Sequence, residues 1–344
     1  LSMRLALLLG LSALQAFAAE TWLAVGYGGR RMISHDGLNW EITAEWAPEG
    51  KDDSNNLISA AFGAGKFVVV GGAQVGHILN STDGVKWDEV KKLPFRVNPV
   101  IRSGQRFIAG GPNRTLWFSD DGVSWTQGAQ AQTTGFPSWA LWFRHAACGN
   151  GVTIFMGEAG SKKEFYWCMT TADGTQVDFR SDLPQLRALA FGANTFVAIG
   201  NGVIMTSADG KTWQKQERSA EEKLDWLQWT GKAFIAGGGK TVITSTDGKS
   251  WQPSTLHPPG RILWTDGTRF ITSSWPGKMS FSADGKTWKA SPAMTPNGIN
   301  AVVMPMGCHA PAYPDFLRSV FQLSNIRGAL ITMPHKVTTV GLVD

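Results

Sequence analysis

The chain has 344 residues, a formal net charge of +5, 43% hydrophobic and 17% charged residues, 40 glycines and 16 tryptophans. This apolar content excludes a disordered chain, and so small an excess of positive charge does not mark a nucleic-acid binder. Abundant Gly and Trp suit a turn-rich all-β protein with a sizeable core.

The N-terminus, MRLALLLGLSALQAFAAE from Met3, carries one cation at Arg4, an apolar run from Leu5 to about Leu14, and an Ala16-Phe17-Ala18 exit. The pattern predicts a secretory signal over residues 1–18, too short to stay as a spanning helix. The mature chain is expected to begin at Ala19, in a bacterial periplasm or outside the cell, with no membrane span.

Beyond residue 20 one box recurs, Ser/Thr-x-Asp-Gly-x-x-Trp. It reads SHDGLNW at Ser34, STDGVKW at Ser81, SDDGVSW at Ser119, SADGKTW at Ser207, STDGKSW at Ser245 and SADGKTW at Ser282. A seventh copy, TADGTQV at Thr171, keeps Asp173-Gly174 and has lost its Trp. Asp36, Asp83, Asp121, Asp173, Asp209, Asp247 and Asp284 follow one another at intervals of 47, 38, 52, 36, 38 and 37 residues. A period near 37 with two enlarged intervals indicates one repeated unit with insertions. Upstream of each box, segments such as LRALAFGANTFVAIGNGVIMT read as short strands broken at Gly/Asn turns, with a further strand at or after the Trp. Four strands per unit is one propeller blade, so residues 19–297 predict a seven-bladed β-propeller. In each box, Asp is suited to accept backbone N–H groups in a tight turn and Gly to take a positive φ, a structural role for all seven aspartates.

The boxes resemble the Asp-box (BNR-like) repeat, over about residues 21–290, in a shortened spacing in which Gly directly follows Asp. The resemblance implies a propeller of the sialidase-like or assembly-factor type. Sialidases themselves have six blades and use a Tyr nucleophile partnered by Glu, with an Asp acid. Here Tyr27, Tyr166 and Tyr313 are the only tyrosines, and none stands in such a motif.

After the last box the pattern changes. Residues 298–344 read as a strand, an amphipathic run from Tyr313 to about Leu323, a second strand and a Pro-His-Lys turn, a short β-α-β appendage. RGALITMPHK resembles the N-terminal, substrate-binding domain of shikimate dehydrogenases, which implies substrate contact by Thr332 and catalysis by Lys336. Leu330 stands where that family has Asn, and the family's first substrate strand, Asp partner and nucleotide-binding domain are missing. The tail is therefore expected to be inactive, as in a natural fusion or a truncated reading frame. Its opening residues INAVV resemble the inner-strand LRALA, and blade one lacks an inner strand of its own. Ile299–Val303 is thus placed to close the ring, which would remove two sheet edges.

Ligand contacts are expected on the face opposite the boxes, where fourth-to-first and second-to-third strand connections emerge. The insertions at 45–56, 128–142 and 157–164 fall largely there, with Trp46, Trp139, Trp142 and Trp275 as candidates for sugar stacking or partner docking. So do Arg30, Arg31, Arg114, Lys162, Lys163, Lys240 and Lys278 in second-to-third loops, and Arg144, Arg187 and Arg261 at inner-strand starts. Those starts converge on the axis, so Arg144, Arg187 and Arg261, with Arg114, are read as a funnel for a carboxylate or phosphate, and Asp225 as a pairing partner for one of them.

The six histidines lack metal-ligand spacing, and no nucleophile elbow is present. No cofactor or metal is expected. Cys148, Cys168 and Cys308 form no framework, although Cys148 and Cys168 fall within one predicted blade and leave a bridge open. The reading is a monomeric, non-catalytic binding module for a protein partner or an acidic glycan, with no nucleic-acid partner. The alternative is a glycan hydrolase or lyase, which would need two facing carboxylates about 5–9 Å apart at the funnel.

Overall fold

Second and third strands such as Thr195–Gly200 and Val203–Ser207 are almost continuously apolar, because both faces of each sheet are covered by neighbouring sheets. Fourth strands such as Gln214–Glu217 are polar because they lie at the outer rim. The computed structural model describes residues 21–48, 53–132, 142–159, 165–200, 202–219 and 222–304. The predicted signal, the tail beyond residue 304 with Thr332 and Lys336, and Trp139, Lys162 and Lys163 lie outside them.

Residues 22–303 form seven four-stranded antiparallel sheets, six in simple sequential order and one completed by the last strand, and so a seven-bladed β-propeller. Blades two to seven span residues 57–94, 100–130, 142–180, 188–217, 226–253 and 261–294. Blade one consists of Trp22–Gly26, Arg31–Ser34 and Glu41–Ala44, with Ile299–Val303 as its inner strand. Val25 faces Ala301 and Leu23 faces Val303. Inner strands of adjacent blades touch all the way round. Among the described residues the only helical pieces are three 3-10 turns of three residues each.

Every box lies between the third and fourth strands of its blade. In blade six, Ser245 Oγ accepts the Gly248 N–H at 2.9 Å, Asp247 Oδ1 accepts the amides of Lys249 and Ser250 at 2.8 and 2.7 Å, and Trp251 Nε1 donates to the Gly248 carbonyl at 3.0 Å. Blade four keeps the turn but has Val177 in the Trp position, where Val177 packs on a cluster containing Trp167 from the third strand. Trp167 is 1% exposed and stacks on Phe179 at 6.0 Å.

The boxes also join blades. A Cβ on Gly248 would lie 2.6 Å from Val197 Cγ2 of blade five, and one on Gly84 2.7 Å from Ile33 Cγ2 of blade one. Thr43 Oγ1 of blade one donates to the Gly84 carbonyl at 2.7 Å, and Asn80 Nδ2 of blade two to the Gly122 carbonyl at 3.0 Å. Each box thus leans on the blade before it.

Cys148 and Cys168 are free thiols. Cys148 Sγ donates to the Arg102 carbonyl at 3.2 Å, while burial pushes the Cys168 thiol up to about 12 and keeps it unreactive.

Amide donors hold the box carboxylates below the ordinary range, at about 2 for Asp121, Asp247 and Asp284. A depressed folded-state pKa adds stability that is complete above the unfolded value near 3.9 and is lost as pH falls through about 2. The melting temperature is therefore expected to drop steeply between about pH 4 and pH 2. Asp247→Asn, which keeps the acceptor oxygen and cannot titrate, is expected to make that drop shallower; an unchanged profile would remove the box from the acid response.

Candidate functional site

On the face away from the boxes, inner strands begin at a common mouth round the axis. Several of these starts are irregular. In blade four Phe143 faces Gly157 and His145 faces Met156, so Arg144 is an extra, bulged residue. A similar shift in blade one falls at Asn300. Bulges re-aim side chains at strand ends, and here they do so at the channel.

Arg144 is held by Glu158, which accepts from its Nε at 2.6 Å and lies 2.5 Å from its NH2. Arg187 faces Asp225 more loosely, at 3.5 Å, with both side chains nearly half exposed. Arg261, the first residue of its strand, donates to the Asn300 carbonyl at 3.4 Å. Among the described residues no carboxylate lies within ion-pair distance of it. Its guanidinium is wetted yet lies inside the ring with protein around it, and that desolvation lowers its pKa.

His145 was not singled out by sequence. Burial, then the fields of Arg144 and Arg261, depress its pKa to about 4, so its imidazole is neutral near pH 7. Arg261 belongs to blade seven and His145 to blade four, so its influence is exerted across the ring. Glu158 and Asn300 were missed as well, because their roles depend on bulges that no periodicity reveals.

Arg114 lies in the turn Pro112–Arg114 between second and third strands, set back from the channel, and its carbonyl accepts the Ala131 amide. Arg30 and Arg31 are buried, not loop donors. Arg30 places Nε and NH2 on Glu45 Oε2, at 3.0 and 2.8 Å, and NH2 also reaches the Pro48 carbonyl. Arg31 lies between the indoles of Trp46 and Trp87, at 4.8 and 5.8 Å, and burial lowers its pKa to about 10 against the opposing pull of Glu45 and Glu89.

Trp46 is 38% exposed and covers Arg31 and the His77 ring. Trp142 is half-buried, with the Arg96 guanidinium 5.6 Å from its ring. Trp275 is different: it is 70% exposed and braced edge-on by Tyr27 at 6.2 Å. Both rings border Gly298, the residue before the closing strand. Trp275 is two residues beyond Ser273, the strand partner of Arg261. The exposed indole thus follows the strand end that pairs with Arg261.

Among the described residues no group of three His, Cys, Asp or Glu could hold a metal, and no helix is long and apolar enough to cross a membrane.

No protein-family model matches the chain, and neither does any curated protein. Solved structures share its fold at low identity. A candidate 6-phosphogluconolactonase from Bacteroides uniformis superposes with a TM-score of 0.55 at 10% identity, over 82% of this chain and 98% of that one. Apo AztD from Citrobacter koseri gives 0.50 at 10% identity, over the same shares. These likenesses show the propeller fold, which is consistent with a binding or assembly module.

Proposed function

We propose that the ring is a non-catalytic binding module of the Asp-box, sialidase-like or assembly-factor type, exported to the periplasm or beyond and acting as a monomer. Its ligand is a carboxylate-bearing one, an acidic glycan or an acidic segment of a partner protein, bound on the face opposite the boxes. The observation that carries this reading is Arg261, a guanidinium at the channel mouth with no carboxylate partner among the described residues, on the same blade as the exposed Trp275. A guanidinium gains most from an incoming anion when no carboxylate neutralises it beforehand. The indole offers a flat apolar face to a sugar ring or side chain.

The hydrolase or lyase alternative is less well supported. Among the described residues the carboxylates at the mouth, Glu158 and Asp225, each face an arginine, whereas glycoside chemistry needs a proton-bearing acid set against a second carboxylate. The tail's Thr332 and Lys336 are proposed to be inactive, for want of a nucleotide-binding domain.

Calorimetry with uronic-acid oligosaccharides and acidic peptides tests the reading. Arg261→Ala is expected to weaken binding about ten- to a hundredfold, the value of roughly 1.5–3 kcal/mol of charge-assisted hydrogen bonding. Arg261→Lys should fail nearly as badly, since a point charge does not reproduce the bidentate fork. Arg144→Ala and Arg187→Ala are expected to cost less, because those arginines already face carboxylates. Asp209→Ala, on the opposite face, should leave affinity per folded molecule unchanged. Wild-type binding by all three arginine variants would move the site to Trp46, Trp142 and Trp275.

A further inference from the structure

We propose that the face opposite the boxes carries a second binding site, between blades five and six, for a small carboxylate attached to an aromatic or branched apolar group. The site is separate from the channel mouth and does not rest on the reading given for Arg261. It begins with one proline. The fourth strand of blade six is only Gln252–Pro253, whereas that of blade five has four residues and that of blade seven six. Pro253 has no N–H to give the ladder. Ser254 still donates to the Val242 carbonyl at 2.9 Å, but Leu256 then gives its amide to Ser254 Oγ at 3.1 Å and the chain leaves the sheet. Among the described residues the Lys240–Thr241 end of the third strand is left with no strand outside it.

A cavity of about 360 Å3 occupies the resulting notch, within the range of about 300–1,000 Å3 usual for small-molecule sites. One wall is apolar. Ile243 and Trp251 belong to the cluster shared with blade five, and Pro253 pairs with Ile243 and so lies on the same face of the sheet. The Trp251 indole N–H is already given to the Gly248 carbonyl, so the ring brings apolar surface alone. Opposite stand Arg218 and Glu222, from the connection after blade five, with the Arg218 amide fixed to the Gly202 carbonyl at 2.8 Å. Charge then decides what the cavity takes. Glu222 is occupied twice by Arg218, whose Nε and NH2 donate to it at 2.7 and 2.8 Å. Among the described residues no carboxylate pairs with Lys240, and Arg218 keeps NH1 without a partner. His257 stands at the exposed rim as a further polar group. A cavity between blades four and five gives the contrast: Lys211 pairs there with Asp178 and Arg180 with Asp182, each at 2.6 Å, so no charge is left over. At blade six one permanent positive charge is left over beside an apolar wall. That surplus matches a carboxylate better than a phosphate ester, which carries about −1.5 to −2 at neutral pH.

Calorimetry of the full chain with phenylacetate and indole-3-acetate tests the site, with phenylacetamide and acetate as controls that lack the charge and the ring. At least one ring acid is expected to bind, and both controls about tenfold or more weaker, the value of one charge-assisted hydrogen bond or one buried ring. Lys240→Gln, at an exposed position, is expected to weaken binding about tenfold with the melting temperature unchanged. Thr241→Trp, which fills the notch from the bare strand end, should abolish binding, and Arg261→Ala should leave it as in the wild type. Phenylacetate alone marks a shallow cavity and indole-3-acetate alone a deep one, and either supports the site. Equal affinity for phenylacetate and a control, or for the wild type and Lys240→Gln, overturns it. So does the lack of both heat and any shift of the Trp251 indole N–H resonance at millimolar acid, and neither result touches the channel mouth. Loss of binding in Arg261→Ala with Lys240→Gln unaffected would overturn this site and place the acid at the mouth instead.

Discussion

Ending the chain after Asn297 is expected to collapse the stability of the ring, whereas ending it at Pro305 leaves the melting temperature unchanged. The eight residues by which the two chains differ include Ile299 and Val302, 3% and 8% exposed. Losing two buried aliphatic side chains costs about 4–8 kcal/mol when the space does not refill. The lost segment also carries the ladder with Leu23–Gly26, and Asn300, whose Nδ2 donates to Asn56 Oδ1 at 2.6 Å and the Leu57 carbonyl at 2.8 Å. A domain has only about 5–15 kcal/mol in total, so the shorter chain is expected to be largely unfolded or aggregated through its bare edge. Calorimetric melting and light scattering of both chains decide the matter. Equal melting temperatures would mean that another segment closes blade one.

The second large effect separates two glycines of the same blade. Gly248 and Gly239 both have positive φ, 75° and 57°. Alanine at either pays the left-handed penalty, about 1–2 kcal/mol. At Gly239 a Cβ meets nothing within 4 Å; at Gly248 it meets Val197 Cγ2 at 2.6 Å and Phe234 Cε2 at 3.3 Å. Overpacking adds about 1–3 kcal/mol. Gly248→Ala is therefore expected to lose about 2–5 kcal/mol by urea denaturation, against about 1–2 for Gly239→Ala. Equal losses would show that the box does not bear on its neighbour.

Much of this architecture was legible because it is local. The Ser-Asp-Gly turn forms its bonds within four residues, so Ser245, Asp247 and Gly248 could be read directly, and the spacing of the boxes set the blade length. The likeness of INAVV to LRALA pointed to Ile299–Val303, which the structure pairs with the first strand. The site was less legible. Periodicity places Arg144, Arg187 and Arg261 at strand starts, but the pairing of Arg144 with Glu158 depends on a one-residue bulge. The lowered pKa of His145 comes first from burial, then from Arg144 beside it and Arg261 three blades away, none of which periodicity shows. Arg30 and Arg31 looked like loop cations because the sequence does not show that Trp46 and Glu45 fold back over them. Nor does it show that Val177, in the Trp position of the blade-four box, packs on a cluster that contains Trp167.

Because every box leans on the blade before it, the contact between neighbours is head-to-tail, with a different surface offered at each side. Such a contact closes into a ring only at the right number of units; with one missing, it leaves two complementary ends. Deleting residues 188–225, one blade with its connection, is therefore expected to give not a smaller monomer but chains that join one another, visible as a concentration-dependent mass in sedimentation. The single chain, in effect, encodes a filament contact and prevents the filament by counting to seven.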